Sequence, residues 1–475
     1  MSAEQQGAAV AAIGARTTNK WMSLTVSCTG AFSAALDANM LFLAYPTLQK
    51  QFNTDATTLA WVTLAPTLLA TGLIFTVGRL GDVMSRGRVY TVGLLISALG
   101  LALSATSGNI GQLILFRLVQ AVGNSMTTAN STAIIAEAFP DKERGRAMGI
   151  WMTVTSVGFA SGPLLAGVLI DSLGWRSIFY IRIPLYLAAA VVTWLILGKQ
   201  PSLRKGRLQF DMLGSVAIFV ALATLIFAIN QGPGTGFTSP MIVGAFVAAA
   251  VFGGLFMVIE ARARAPVVSL KLFSDRLFAS ANAAIIVYFV GYISLTFLMP
   301  FYLVEGKGLS ASMAGTILMT VPLARMTVST FSGWLAERIS TQFLTITGLA
   351  MMAVGLFLVS RLTAESTILA MMPGLVLVGL GNGVFEPPNA NTILGSAPKD
   401  RLGMASASMT ASRQIGGSSG VAIGGAIYET RYGTYSGSQS NDLAVTGAFK
   451  DAMLAGALFV VLGMVVSAAR GSKRV

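Results

Sequence analysis

Fourteen apolar runs, each about the length that a helix needs to cross a bilayer, are the feature that most constrains this chain. A hydrocarbon core takes roughly 20 apolar residues per helix. The runs lie near 21–46, 60–82, 89–106, 110–136, 145–170, 177–197, 213–230, 241–259, 278–303, 313–336, 342–360, 368–394, 402–428 and 450–469. Hydrophobic residues make up 54% of the 475 and charged residues only 11%. A soluble domain carries about 25% charge, so this chain cannot clothe a globular surface. The fold expected is an all-α integral membrane protein, multi-pass and surrounded by lipid.

Lys and Arg orient the spans, because they gather on the cytoplasmic side. With both termini cytoplasmic, 22 of the 32 basic residues fall at or beside cytoplasmic ends. Six fall in outer loops, and Arg117, Arg182, Arg325 and Arg413 fall within spans. This bias accounts for the net charge of +13 without nucleic acid as a partner. The first apolar run is too long for the core of a cleavable signal, so it is expected to stay as the first span.

Several functions are disfavoured. The sequence has no histidine and one cysteine, Cys28, which removes imidazole metal sites, Ser-His and Cys-His nucleophiles, and intrachain disulfides. No phosphate-binding GxxxxGK[ST] loop occurs, and no polar stretch exceeds about twenty residues, far below the size of a folding domain. Neither an enzyme nor an ATP-driven pump is expected, and no metal or cofactor.

A repeat runs through the chain. After the second span come Gly78, Leu80 and Asp82; after the tenth come Gly333, Leu335 and Glu337. If spans seven and eight are an insertion, these loops hold equivalent places in two six-helix halves. Transporters are often built so, with the substrate site between the repeats near the midplane. The organisation expected is a cytoplasmic tail 1–20, a six-helix bundle 21–197, a linker 198–277 with two extra helices, a second bundle 278–469 and a tail 470–475.

These residues resemble the major facilitator superfamily, and in particular its fourteen-helix drug:proton antiporter branch. The family's loop motif G-x-L-a-D-[RK]-x-G-[RK]-[RK] is matched at Gly78, Leu80, Asp82 and Arg86, and departs at Val83, Ser85 and Gly87. LDANMLFLAYP (36–46) is similar to the first-helix motif and FRLVQAVG carries the fourth-helix Arg117 and Gln120. GFASGPLLAG (158–167) is similar to the antiporter motif of the fifth helix, with Gly158, Gly162, Pro163 and Gly167. In WRSIFYIRIP (175–184), Arg182 stands where asparagine is usual, and SRQIGGSSGVAI (412–423) matches a stretch of the thirteenth helix. The resemblance implies two bundles related by a pseudo-two-fold axis, proton-driven export of drug-like molecules, a bacterial plasma membrane and a monomer.

Charges inside a span are costly and face the protein interior. Asp37 follows Gly30 and Ser33 on one helical face. Arg117, Gln120, Asn124, Thr127 and Ser131 are spaced three and four apart and share another. Ser406, Thr410, Arg413 and Gly417 form a similar stripe. Asp37 is read as a proton-coupling or cation-contacting acid, or as a structural partner of Arg117. The stripes serve either a cavity or interhelical hydrogen bonds. Glu386, in GNGVFEPPNAN, is read either as a proton site beside a helix broken at Pro387 and Pro388 or as an ion-pair partner of Arg325. Asp82 with Arg86, and Glu337 and Arg338 beside Gly333, are read as a conformational gate, against the plainer reading of a solvated topology signal. Gly158, Gly162, Pro163 and Gly167 allow close helix approach, read as serving either ordinary tight packing or, as the resemblance implies, the rocking motion. Glu137 is read as snorkelling or capping. Met40, Tyr288, Tyr292, Met299 and Tyr302 are weighed as a soft substrate wall against plain packing. The function expected is export of small amphiphilic compounds in exchange for protons; the alternatives are an exporter of one metabolite or a non-transporting receptor.

Overall fold

The computed structural model describes residues 20–198, 212–262, 270–336, 338–398, 402–438 and 440–469; the terminal tails and much of the linker lie outside them. The side chains of Gly78 and Asp82, and residue 337 altogether, are likewise outside the described set. Every regular element described is helical.

Fourteen rods account for the sequence runs. They are α1 (Lys20–Phe52), α2 (Ala56–Met84), α3 (Arg86–Ala105), α4 (Ile110–Ala138), α5 (Asp141–Leu173), α6 (Arg182–Leu197), α7 (Met212–Thr235) and α8 (Pro240–Arg262). There follow α9 (Arg276–Phe301), α10 (Ala311–Leu318 continued by Thr320–Leu335), α11 (Thr341–Ser360), α12 (Ile368–Ser396), α13 (Leu402–Ser436) and α14 (Asn441–Ala469). Side-chain caps start several of them: Asn109 accepts from Gln112 N at 2.9 Å, Asp275 from Leu277 N at 2.7 Å, and Ser310 from Met313 N at 3.2 Å. Each satisfies a backbone donor that a helix start leaves open.

Ten described helices are long and apolar enough to cross a membrane. The apolar stretches of α2 and α7, Ala56–Ala70 and Val216–Gly232, are shorter. The other two, α4 and α13, carry the polar stripes, which lower their hydropathy. They can do so because the stripes are turned into protein and away from lipid.

The helices pack in two groups, α1–α6 and α9–α14. Within the first, α3 lies on α4 and α6, and α1 on α5; within the second, α11 lies on α12 and α14, and α9 on α13 and α14. The groups meet along two seams, α5 with α10 and α2 with α13, and α1 touches α9 between them. Of the extra pair, α7 lies across the second seam against α2 and α13, whereas α8 leans on α7 and turns most of its apolar surface outward.

The two seams are clasped at one end by a matched pair of contacts. Asp171 of α5 accepts from Ala311 N at 3.1 Å and Ser312 N at 2.8 Å, the first turn of α10. On the other seam Glu429 of α13 accepts from Ala56 N at 3.3 Å, the first turn of α2. In a chain of two six-helix repeats, α5 corresponds to α13 and α10 to α2, so the contacts are equivalent. Each sets a carboxylate of one half on the positive end of a helix of the other. Lys50 and Glu305 add a cross-bundle ion pair at 3.8 Å, and Phe297 of α9 meets Phe42 and Tyr45 of α1 edge-on. At the opposite end the polar contacts described stay within one half, as in Lys20–Glu143, Arg86–Glu137 and Gln342 with Ser467. The structure is therefore shut at the Lys50 end. Removing one such cap is worth about 1 kcal/mol. Asp171→Ala with Glu429→Ala is expected to shift the balance between shut and open forms roughly thirtyfold. Spin labels at exposed Thr106 and Glu365, read by pulsed EPR, would show a longer distance population; an unchanged distribution rules the clasp out.

Candidate functional site

Each half buries one acid between two arginines. In the first, Asp37 on α1 is 6% exposed. Arg117 Nη1 on α4 donates to both of its oxygens at 2.9 Å, and Arg182 Nη1 on α6 donates to Oδ1. Arg117 is 6% and Arg182 2% exposed. Arg117 also donates to Gln120 Oε1, and Arg182 Nε donates to the Ile178 carbonyl at 2.8 Å. In the second half, Glu386 on α12 is 8% exposed and lies 2.5 Å from Arg325 of α10 and 2.8 Å from Arg413 of α13. A charge so far from water persists only when paired, and here each carboxylate faces two cations.

A cavity of about 380 Å³ lies between the halves, walled by Asp37, Arg117, Gln120 and Asn124 on one side and by Arg413 and Gly417 on the other. Both polar stripes of the sequence therefore converge on one space. Asn124 is also held in place: its Oδ1 accepts from Ser97 at 3.0 Å and Tyr186 at 3.3 Å. Farther along the stripe, Thr127 donates to the Asn124 carbonyl within α4, and Ser131 accepts from Trp151 Nε1 of α5 at 3.0 Å, a bond between helices.

Arg182 is the functional candidate that sequence reasoning passed over. Its signal was present, a guanidinium inside an apolar run, but nothing local says which helix it will meet. Glu386 pairs with Arg325, as one of the two readings required, and with Arg413 as well. The helix does not break beside it: α12 continues through Pro387 and Pro388 to Ser396. A proline loses one backbone donor, and a membrane helix carries that loss where neighbours and side chains cover the freed carbonyl. Asn389, on the same face, donates to the Ala281 carbonyl of α9 at 3.0 Å.

The residues read from the sequence as a gate and an antiporter motif are distributed differently. Arg86 reaches Glu137 of α4 at 2.6 Å, so Glu137 is an ion-pair partner and not merely a snorkelling end. Arg338 lies over the Trp334 ring, 4.0 Å from its centroid, and Gly333 faces Pro387. The α5 motif splits between two partners. Gly158 and Gly162 are set against α1 at Phe32 and Leu36, whereas Gly167 faces Ala311 and Ser312 of α10, and the Pro163 carbonyl faces Gly315 of α10. In the aromatic wall, Tyr302 donates to the Thr363 carbonyl at 2.8 Å and stacks on Phe449, and Met40 and Met299 are buried, so these three pack and do not line the cavity. Tyr288 stacks on Phe385. No group of His, Cys, Asp and Glu among the described residues is placed to hold a metal.

The Major Facilitator Superfamily model matches residues 27–421 and again 281–470. Riboflavin transporter RibZ of Clostridioides difficile is 31% identical over 405 residues, 85% of this chain and 87% of that protein. Multidrug resistance protein Stp of Mycobacterium tuberculosis is 32% identical over 412 residues, 86% of this chain and 76% of that protein. A bacterial homolog of the human lysosomal transporter Spinster has the same fold, with a TM-score of 0.70 at 15% identity, covering 96% of this chain and 97% of that one. With two helical groups, a cavity between them and relatives of this kind along most of its length, the chain belongs to the major facilitator superfamily, in its drug:proton antiporter branch.

Proposed function

We propose that the protein exports small amphiphilic compounds across a bacterial plasma membrane in exchange for protons, by alternating access at the cavity between its halves. The observation that carries this reading is the acid held by two arginines in each half beside that cavity. How readily a buried carboxylate takes a proton depends on how close its guanidinium partners are. A rocking motion of helices that carry acid and arginine separately changes those distances, so proton uptake and the state of the transporter become linked. With both termini cytoplasmic, the shut Lys50 end faces outward and the cavity opens inward. Asp82, Arg86, Glu337 and Arg338, with Gly78 and Gly333, then act as the gate that closes the cytoplasmic end in the other state. Gly158 and Gly162 keep α5 on α1 while the halves rock, and Pro163 and Gly167 let α5 meet α10 closely in the form shut at the Lys50 end. The protein works as a monomer without a cofactor, drawing on the proton gradient.

Because a similar protein is named a riboflavin transporter, export of a single metabolite is the second reading. The test is transport by purified protein in liposomes under an imposed proton gradient, with a panel of fluorescent amphiphiles of both charges. Substrate-dependent proton flux, abolished by Asp37→Asn, is expected. Binding without flux would make the protein a receptor, flux indifferent to the gradient a facilitator, and flux of one compound alone the dedicated exporter.

A further inference from the structure

The cavity has more positive charge around it than its acids answer. Four arginines, Arg117, Arg182, Arg325 and Arg413, share two carboxylates, Asp37 and Glu386. Among the described residues, the charged groups on the cavity wall are Asp37, Arg117 and Arg413. Asp37 already accepts from two guanidiniums, and Glu386 stands behind Arg413, shared with Arg325.

The hydrogen-bond inventory points the same way. Three buried donors of residues that line the wall have no hydrogen-bond partner: Arg117 Nε, Gln120 Nε2 and Arg413 Nε. Gln120 is 1% exposed and Arg117 6%. Buried polar groups are normally satisfied, and an orphan calls for an explanation. All three orphans lack an acceptor, and they come from both halves of the molecule. The rest of the described wall combines neutral polar side chains, among them Thr63, Asn124 and Gln414, with an apolar and partly aromatic part formed by Leu41, Phe42, Phe289, Ile293 and Val421.

We infer that the compound this site takes is an acidic amphiphile: an apolar, flat body that carries a carboxylate or comparable anionic group, received by Arg117, Gln120 and Arg413. This rests on the export reading above and deepens it. A carboxylate brings an acceptor to residues short of one and neutralises surplus charge in a place where unpaired charge is costly. An ammonium compound would bring a third cation to the wall and find no uncommitted carboxylate there. The membrane potential assists such a cargo. Outward movement of one negative charge from an inside-negative cell is favoured by about 2.3 kcal/mol per 100 mV.

The test compares three probes with one aromatic body: naphthoate, naphthamide and a naphthyl trimethylammonium salt. Their binding to the full-length protein in nanodiscs is measured by calorimetry, and their transport is followed in liposomes. Naphthoate is expected to bind at least about tenfold more tightly than the other two. Arg413→Gln is expected to remove most of that advantage, weakening naphthoate binding about tenfold and naphthamide binding by less, the scale of one lost charge-assisted hydrogen bond. Arg413→Lys, which keeps the charge, is expected to retain a substantial part of it. Equal binding of the three probes, preference for the ammonium salt, or no binding of naphthoate overturns the inference. Tight naphthoate binding without transport leaves the inference standing and removes the export reading instead.

Discussion

Asp37→Asn is expected to destabilise the protein by about 3–5 kcal/mol, and Arg182→Asn added to it to restore most of the loss. Asparagine keeps the size of the side chain and one acceptor oxygen, so the variant removes charge and little else. What remains is two guanidiniums, 6% and 2% exposed, with no carboxylate between them. Breaking a buried pair from one side costs more than the pair contributes, because the surviving charge is stranded. Taking Arg182 away as well leaves one cation, Arg117, and two amides, with asparagine at 182 as the family resemblance implies. Unfolding of wild type, both single variants and the double variant, in one detergent and lipid, closes the cycle. If Asp37→Asn is as stable as wild type, the acid is not neutralising the arginines. The cycle also sharpens the transport assay. A double variant that is stable yet makes no proton flux assigns the loss to Asp37 as a proton carrier, whereas recovery of flux together with stability would mean that Asp37 serves only to hold Arg117.

Gly100→Leu and Gly167→Leu are expected to fail in opposite ways although both set a large side chain against a neighbouring backbone. A Cβ on Gly100 of α3 would lie 2.5 Å from Gln120 N and 2.6 Å from its Cα on α4. Both helices belong to the first group and are packed along their length, so nothing can give except the bundle itself. The cost is expected to exceed the roughly 1–3 kcal/mol of ordinary overpacking, and the variant to be recovered poorly folded. Gly167 of α5 faces the Ala311 carbonyl and Ser312 of α10, which belong to the other group. That seam can part while each bundle stays intact. Gly167→Leu is therefore expected to fold with near-normal helix content and to populate the form open at the Lys50 end. Circular dichroism and yield separate the first outcome, and EPR between labels at Thr106 and Glu365 the second. Cys28 is the sole cysteine and is buried, which keeps such labelling simple. Loss of folding in Gly167→Leu, with Gly100→Leu tolerated, would contradict the division into two rocking groups.

Both expectations depend on facts of different origin. The positions of the spans, the polar face of α4 and the interior character of Asp37, Arg117, Arg325, Glu386 and Arg413 were legible in the chain. Length, hydropathy and helical period are local properties, and lipid punishes each misplaced charge separately. Partnership was not legible. Arg117 and Arg182 meet Asp37 across 80 and 145 residues, and the period of a helix says which side a residue faces but not which helix stands there. Pro387 and Pro388 read as a break, and neighbouring helices overrode them. GFASGPLLAG read as one packing motif, and the fold set its first glycines against α1 and its last against α10. The sequence by itself determined that this is a membrane-spanning bundle with charge turned inward. Only the tertiary structure decided that the charge forms two acid–arginine clusters with cations in excess, because pairing is settled by how whole helices pack and not by any segment alone.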